Sequence, residues 1–207
     1  MGALDFAGGT VGHINAGVAA VVTALVLGPR KEYGRQALLP HNVPMVLLGA
    51  ALLWFGWFGF NGGSALGANN QAALAFVNTL LAPCSALLVW VMLDLFRTKR
   101  ATAVGAATAI IVGLVGITPA AGYISPGNAL LLGALVVFPS YYGILWRSRT
   151  KLDDSLDVFA GHGLGGITGA LLTGVFCEKA WLSASDGLLS GNPGQLGVQA
   201  MAVVAAI

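Results

Sequence analysis

Charged side chains are what this chain has least of. Asp, Glu, Lys and Arg together make up 9% of its 207 residues, against about a quarter in an ordinary soluble domain. So little charge cannot coat a water-soluble surface, and 57% of the residues are hydrophobic, with a mean hydropathy of +0.81. Cysteine is almost missing: Cys84 and Cys177 are the whole complement, and both are expected to be small buried hydrophobes. The net charge is only +2, and no basic patch suggests nucleic acid. No Ser, His and acid are placed together as a hydrolase would need them. The start, "MGALDFAGG", has no basic stretch of the kind that opens a signal peptide and no Ser or Thr at the sixth position for myristoylation.

What the chain has in quantity is apolar sequence in lengths that span a bilayer. Such stretches fall near 7–27, 43–66, 72–96, 101–119, 127–146 and 158–176, and a seventh, 195–207, reaches the last residue. The expectation is an all-α integral membrane bundle of six full spans and a truncated seventh, with 1–207 forming one membrane domain. The basic residues test that reading independently. Arg30, Lys31 and Arg35 follow the first span, Arg97, Lys99 and Arg100 the third, and Arg147, Arg149 and Lys151 the fifth. The alternate connections "GGSALGANNQ" and "TPAAGYISPGN" carry none. Short loops rich in Lys and Arg stay on the cytoplasmic side, so the Met1 end is expected outside. The chain has thirty glycines, most of them inside the spans, where each costs about 1 kcal/mol relative to Ala. Close helix packing is one reason for them and a narrow pore framed by that packing is another.

Ionisable groups at membrane depth are costly and usually face a protein interior or an aqueous path. His13 lies in the first span and His162 in the sixth. These helices run in opposite directions, so the two imidazoles reach the membrane middle from opposite ends and can share a hydrogen bond, one nitrogen donating and the other bare. Each alone reads equally as a core histidine satisfied by a carbonyl. No Cys, Glu or third His is placed to complete a metal site with them. In "WFGWFGFNGGS", Trp57 and Phe60 share one helix face and can hold a small cation at about 0.5–2 kcal/mol per ring, with Ser64 one turn on as an acceptor. The same aromatics serve as well as an interfacial belt.

The blocks "DFAGGTVGHINAG", "PHNVPMVLLGA", "WFGWFGFNGGS", "ALAFVNT", "GLVGITPAAGYI" and "DDSLDVFAGHGLGGITG" resemble, in order and spacing, the signatures of the ammonium transporter (Amt/Mep/Rh) family, nearest its Amt/Mep branch. The family fold has eleven helices in two oppositely oriented halves and assembles as a homotrimer. The resemblance implies that this chain corresponds to the fifth to tenth helices and the start of the eleventh, and that such a piece does not transport by itself. It also implies roles. His13 and His162 match the twin pore histidines, Trp57 and Ser64 the outer ammonium recruitment site, and Phe60 an outer gate. Asp5 matches a buried acid near that site and Thr118 a pore-lining position. Asp153, Asp154 and Asp157 match an acidic stretch read as inner-mouth or helix-cap residues.

The function implied is transport of ammonium, which loses a proton and passes as ammonia through a cell (plasma or inner) membrane, with no cofactor, no metal and no enzymatic step. A PII-type regulator is the implied cytoplasmic partner, approaching the basic loops 28–36 and 97–101. Two other readings stay open: an ammonium sensor on the same fold, and an intramembrane redox or metal protein using His13 and His162 as axial ligands.

Overall fold

The computed structural model describes residues 2–35 and 39–207. Met1 and one residue of the basic loop 28–36 therefore lie outside the described residues, and with them the expected placement of Met1. Among the described residues seven long helices follow one another: α1 (Gly9–Leu27), α2 (Val43–Gly63), α3 (Asn70–Thr98), α4 (Ala103–Ile117), α5 (Pro126–Arg147), α6 (Phe159–Phe176) and α7 (Pro193–Ala206). There is no strand among the described residues. Side chains start several of these helices where backbone N–H groups lack partners. Asn42 accepts from the N–H of Met45, Asn69 from Ala72, Thr102 from Gly105 and Ser125 from Asn128, each replacing a hydrogen bond that the first turn cannot make internally.

Five of the helices, α1, α2, α3, α5 and α6, are long and apolar enough to cross a membrane. The expected fourth span, 101–119, is shorter than a complete crossing. α4 has 15 residues, about 22 Å of helix against roughly 30 Å of hydrocarbon. Pro119 has no N–H to continue the helix, and the chain folds into tight turns over residues 118–123 that stay largely buried. Asn78 of α3 staples this turn by donating to the carbonyls of Ala121 and Ile124.

α3 is central, packed against α2, α4 and α5, and α6 packs against α1, α4, α5 and α7. One core cluster gathers Ala82, Ile117, Ile124 and Leu132, and another gathers Trp90, Val112, Val136 and Tyr141. Cys84 corrects an expectation. Cys177 is buried, but Cys84 is exposed on α3. Its neighbour Pro83 takes the inward position against Gly113 of α4, which turns the next residue about 100° away.

In lipid, helices gain little from hydrophobic association, so they are held by close van der Waals approach. Gly17 of α1 lies against the backbone of Gly163 in α6, and Gly169 of α6 against the carbonyl of Gly116 in α4. A Cβ at either position would overlap main-chain atoms that cannot swing aside. Gly169→Val is therefore expected to destabilise the fold by about 1–3 kcal/mol, the usual cost of overpacking. A lowered unfolding midpoint of the purified protein in detergent checks this, and an unchanged midpoint contradicts it.

Candidate functional site

The N-terminal six residues of both α1 and α6, Gly9–Ile14 and Phe159–Leu164, are wound as π-helix. Such wide turns are rare and occur often at functional sites. Each contains one of the two histidines. The α1–α6 crossing at Gly17 and Gly163 sets the two wide turns side by side, and His162 Nδ1 lies 3.3 Å from His13 Nδ1. Their ring centroids are 5.2 Å apart, tilted by 46°.

On the other side of His13 is the aromatic face of α2. Trp57 stacks on the imidazole at 5.4 Å and 25°. Phe60 lies 6.5 Å from it and meets Trp57 edge-on at 5.7 Å. Thr118, fully buried, joins the group: its Oγ1 accepts from Trp57 Nε1 at 2.9 Å and lies 3.3 Å from His13 Nε2. The segment before α1 runs beside Thr118, with Phe6 N–H donating to the Pro119 carbonyl and Ala7 N–H to that of Thr118. Two cavities approach the histidines from opposite ends. One, of about 300 Å3, is lined by His13, Leu53, Gly56, Trp57 and Phe60. The other, of about 340 Å3, is lined by His162, Leu53, Ile111, Leu156 and Asp157, at the basic end of the helices.

Residues 1–207 match the Ammonium Transporter Family from end to end. The chain belongs to that family. It is 49% identical over 207 residues to the ammonium transporter of Aquifex aeolicus, which covers 100% of this chain and 48% of that protein. With ammonium transporter Amt1 of Archaeoglobus fulgidus the identity is 42% over 203 residues, covering 98% and 51% respectively. The crystal structure of Saccharomyces cerevisiae Mep2 superposes with a TM-score of 0.92 at 37% identity, over 99% of this chain and 48% of that one. The chain thus spans about half the length of the curated relatives it matches. The two curated relatives named above are both ammonium transporters.

Of the residues matched to the pore and its outer mouth, His13, His162, Trp57, Phe60 and Thr118 form one contiguous group. Ser64 and Asp5 stand apart from it. The Ser64 hydroxyl donates to the Phe60 carbonyl at 2.9 Å, at the end of α2. Asp5 caps α1: its carboxylate accepts from the N–H of Thr10 at 3.0 Å and of Val11 at 3.2 Å. Burial pushes the Asp5 carboxyl up from its ordinary range, opposed by these backbone donors. Gly8, at φ 87, makes the left-handed turn between cap and helix that glycine alone adopts freely. Asp154 does for α6 what Asp5 does for α1, accepting from Phe159 N–H at 2.7 Å.

At the basic end, Asp153 is held by Arg30 through two side-chain bonds of 2.7 Å and by the Arg30 N–H at 2.8 Å. Asp157 pairs with Arg147 at 2.6 Å, and Tyr33 donates to the Leu152 carbonyl while accepting from Arg147. These contacts tie the connection after α1 to the one before α6.

Motif reading passed over the residues that orient the α2 aromatics and the segment before α1. Asn61 donates to Thr79 Oγ1, and Trp54 Nε1 to the Thr79 carbonyl, which together fix α2 against α3. Gln199 of α7 is fully buried, bonding both the N–H and the carbonyl of Leu4 at 2.7 Å and the Ala170 carbonyl at 3.0 Å. The signal in the sequence is a Gln inside an apolar helix, since a buried polar group requires partners.

Asp5→Ala removes a helix cap and is expected to cost about 1 kcal/mol, read as a lower unfolding midpoint, whereas Asp5→Asn, which keeps an acceptor, should cost less. Arg30 holds the Asp153 carboxyl below its usual range. A carboxyl depressed by folding contributes stability at pH values above its unfolded range, and that contribution disappears as pH falls through its depressed value. Arg30→Gln should therefore lower stability slightly near neutrality and not at all at strongly acidic pH, with salt shrinking the difference because Arg30 is exposed. A difference that is equal at both pH values contradicts this.

Proposed function

We propose that this chain forms the conducting part of an ammonium transporter, in which ammonium is gathered at Trp57 and Phe60, loses a proton, and passes as ammonia along His13 and His162. The observation that carries this reading is the meeting of two imidazoles from oppositely running apolar helices, with Trp57 stacked on His13 and Phe60 beside it. An unpaired ammonium ion costs tens of kcal/mol in hydrocarbon, far more than two ring faces return at about 0.5–2 kcal/mol each. Those rings suffice to concentrate the ion at a wet mouth. Deeper in, the neutral molecule is the cheaper species, and ring nitrogens give it hydrogen-bond partners where an all-apolar lining would not. The relatives' names support ammonium as the substrate.

The same reading sets the basic loops on the cytoplasmic side of a cell membrane, with Asp5 and Ser64 toward the outer mouth. Asp5 then serves the site through the start of α1. Ser64, with its one proton given to Phe60, has oxygen lone pairs to offer a cation. The homotrimer and the PII-type regulator belong to this reading through the family resemblance, with Arg30 and Arg147 already paired inside the chain. The sensor alternative is not favoured, since the curated relatives carry transporter names.

Methylammonium uptake by transporter-deficient cells expressing the protein that carries this chain tests the reading. His13→Leu and His162→Leu should each lower uptake about tenfold or more, a loss of only ~1.4 kcal/mol at the barrier. Unaltered rate and selectivity in both variants would sink it.

A further inference from the structure

We propose that Thr118 is a positioning residue that sets the proton pattern of the histidine pair: His13 carries its proton on Nε2 and His162 on Nδ1, leaving His162 Nε2 as the one bare nitrogen facing away from the pair. This deepens the reading of the two histidines as the ammonia path and rests on it.

A hydroxyl has one proton to give and two lone pairs to receive, and Thr118 uses all three. Its Oγ1 lies 2.8 Å from the Leu114 carbonyl, which can only accept, so the hydroxyl proton is spent there. Trp57 Nε1 can only donate, and it lies 2.9 Å from the same oxygen. The third neighbour, His13 Nε2 at 3.3 Å, then meets an oxygen with no proton left to offer. Two acceptors facing each other repel, so His13 Nε2 is the protonated nitrogen. The alternative would turn the hydroxyl toward the more distant imidazole and leave two oxygens at 2.8 Å with no proton between them.

The rest follows along the chain of contacts. With its proton on Nε2, neutral His13 has a bare Nδ1. His162 Nδ1, 3.3 Å away, must then be the donor, which leaves the proton of neutral His162 on Nδ1 and its Nε2 bare. His162 lines the cavity at the basic end, and its Nε2 has no hydrogen-bond partner among the described residues. The pair is thus polar along its length. Its acceptor is offered at the His162 side, where ammonia can donate an N–H to it, and its far donor is tied to Thr118. A proton entering at His162 Nε2 can move on by transfer from His162 Nδ1 to His13 Nδ1, and its loss from His13 Nε2 then requires the His13–Thr118 contact to break, because Thr118 has no free lone pair or spare proton to relay it.

The test is nitrogen NMR of the intact protein carrying this chain, in bilayers, with 15N in the histidine rings, where bare and protonated nitrogens resonate far apart. The expected spectrum shows bare Nδ1 with protonated Nε2 at His13, and the reverse at His162. Thr118→Ser, which keeps the hydroxyl, should preserve this pattern, and Thr118→Val should replace it with a mixture of both tautomers at each ring. The reverse assignment in the parent protein, or an unchanged pattern in Thr118→Val, overturns the proposal. Should the valine variant fail to fold, the parent spectrum decides alone. Tautomers are read without transport, so a reversed pattern with histidine-dependent uptake removes this inference and leaves the proposed function standing, while the expected pattern without such uptake does the opposite.

Discussion

The contact on which the site depends is a glycine against a glycine. Gly17 and Gly163 meet backbone to backbone where α1 crosses α6. Without side chains at that crossing, the residues four before Gly17 and one before Gly163 are brought within reach of each other. Those residues are His13 and His162. In a bilayer no hydrophobic force presses two apolar helices together, so the approach has to come from surfaces with nothing in the way. Many of the glycines whose helix propensity cost looks wasteful are repaid by that approach, at Gly113 against Pro83 and Gly169 against Gly116 as well as here.

The two helices that cross there are built alike. In each, an aspartate accepts from the N–H of the residue five positions on: Asp5 from Thr10, Asp154 from Phe159. In each, the histidine comes eight positions after the aspartate and sits in a π-helical turn. Each cap binds N–H groups of the first turn, at the start of the wide winding. The wide turn in turn brings a side chain to a bearing that ordinary helix would not give it. The two ends differ in what surrounds the cap. Asp5 is steadied by α7 through Gln199 and Leu4, whereas Asp154 stands beside the ion pairs of Asp153 and Asp157.

Much of the architecture could be read from the chain itself, because a bilayer makes a simple demand. Apolar runs long enough to cross it, punctuated by basic loops at every second connection, identify the helices and their alternation, and the ordered motifs identify the family. Where the reading fell short, a local backbone feature intervened. Pro119 ends α4 early and sends the chain into a buried turn, and Pro83 takes the inward face of α3 that leaves Cys84 outside. Neither effect shows in hydropathy, which sees composition and not rotation about the helix.

For the site, the pattern of residues is enough to show which polar groups lie inside apolar helices. An apolar helix makes His13 and His162 conspicuous, and a three-residue spacing puts Trp57 and Phe60 on one face. It did not determine which of these groups touch. Ser64 has the right chemistry for the cluster yet bonds back to Phe60, and Thr118, an inconspicuous hydroxyl 105 residues from His13, stands between the indole and the imidazole. Hydrogen bonds reach about 3 Å, and distances of that order between separate helices are set by how backbones cross and turn. No spacing along the chain encodes them.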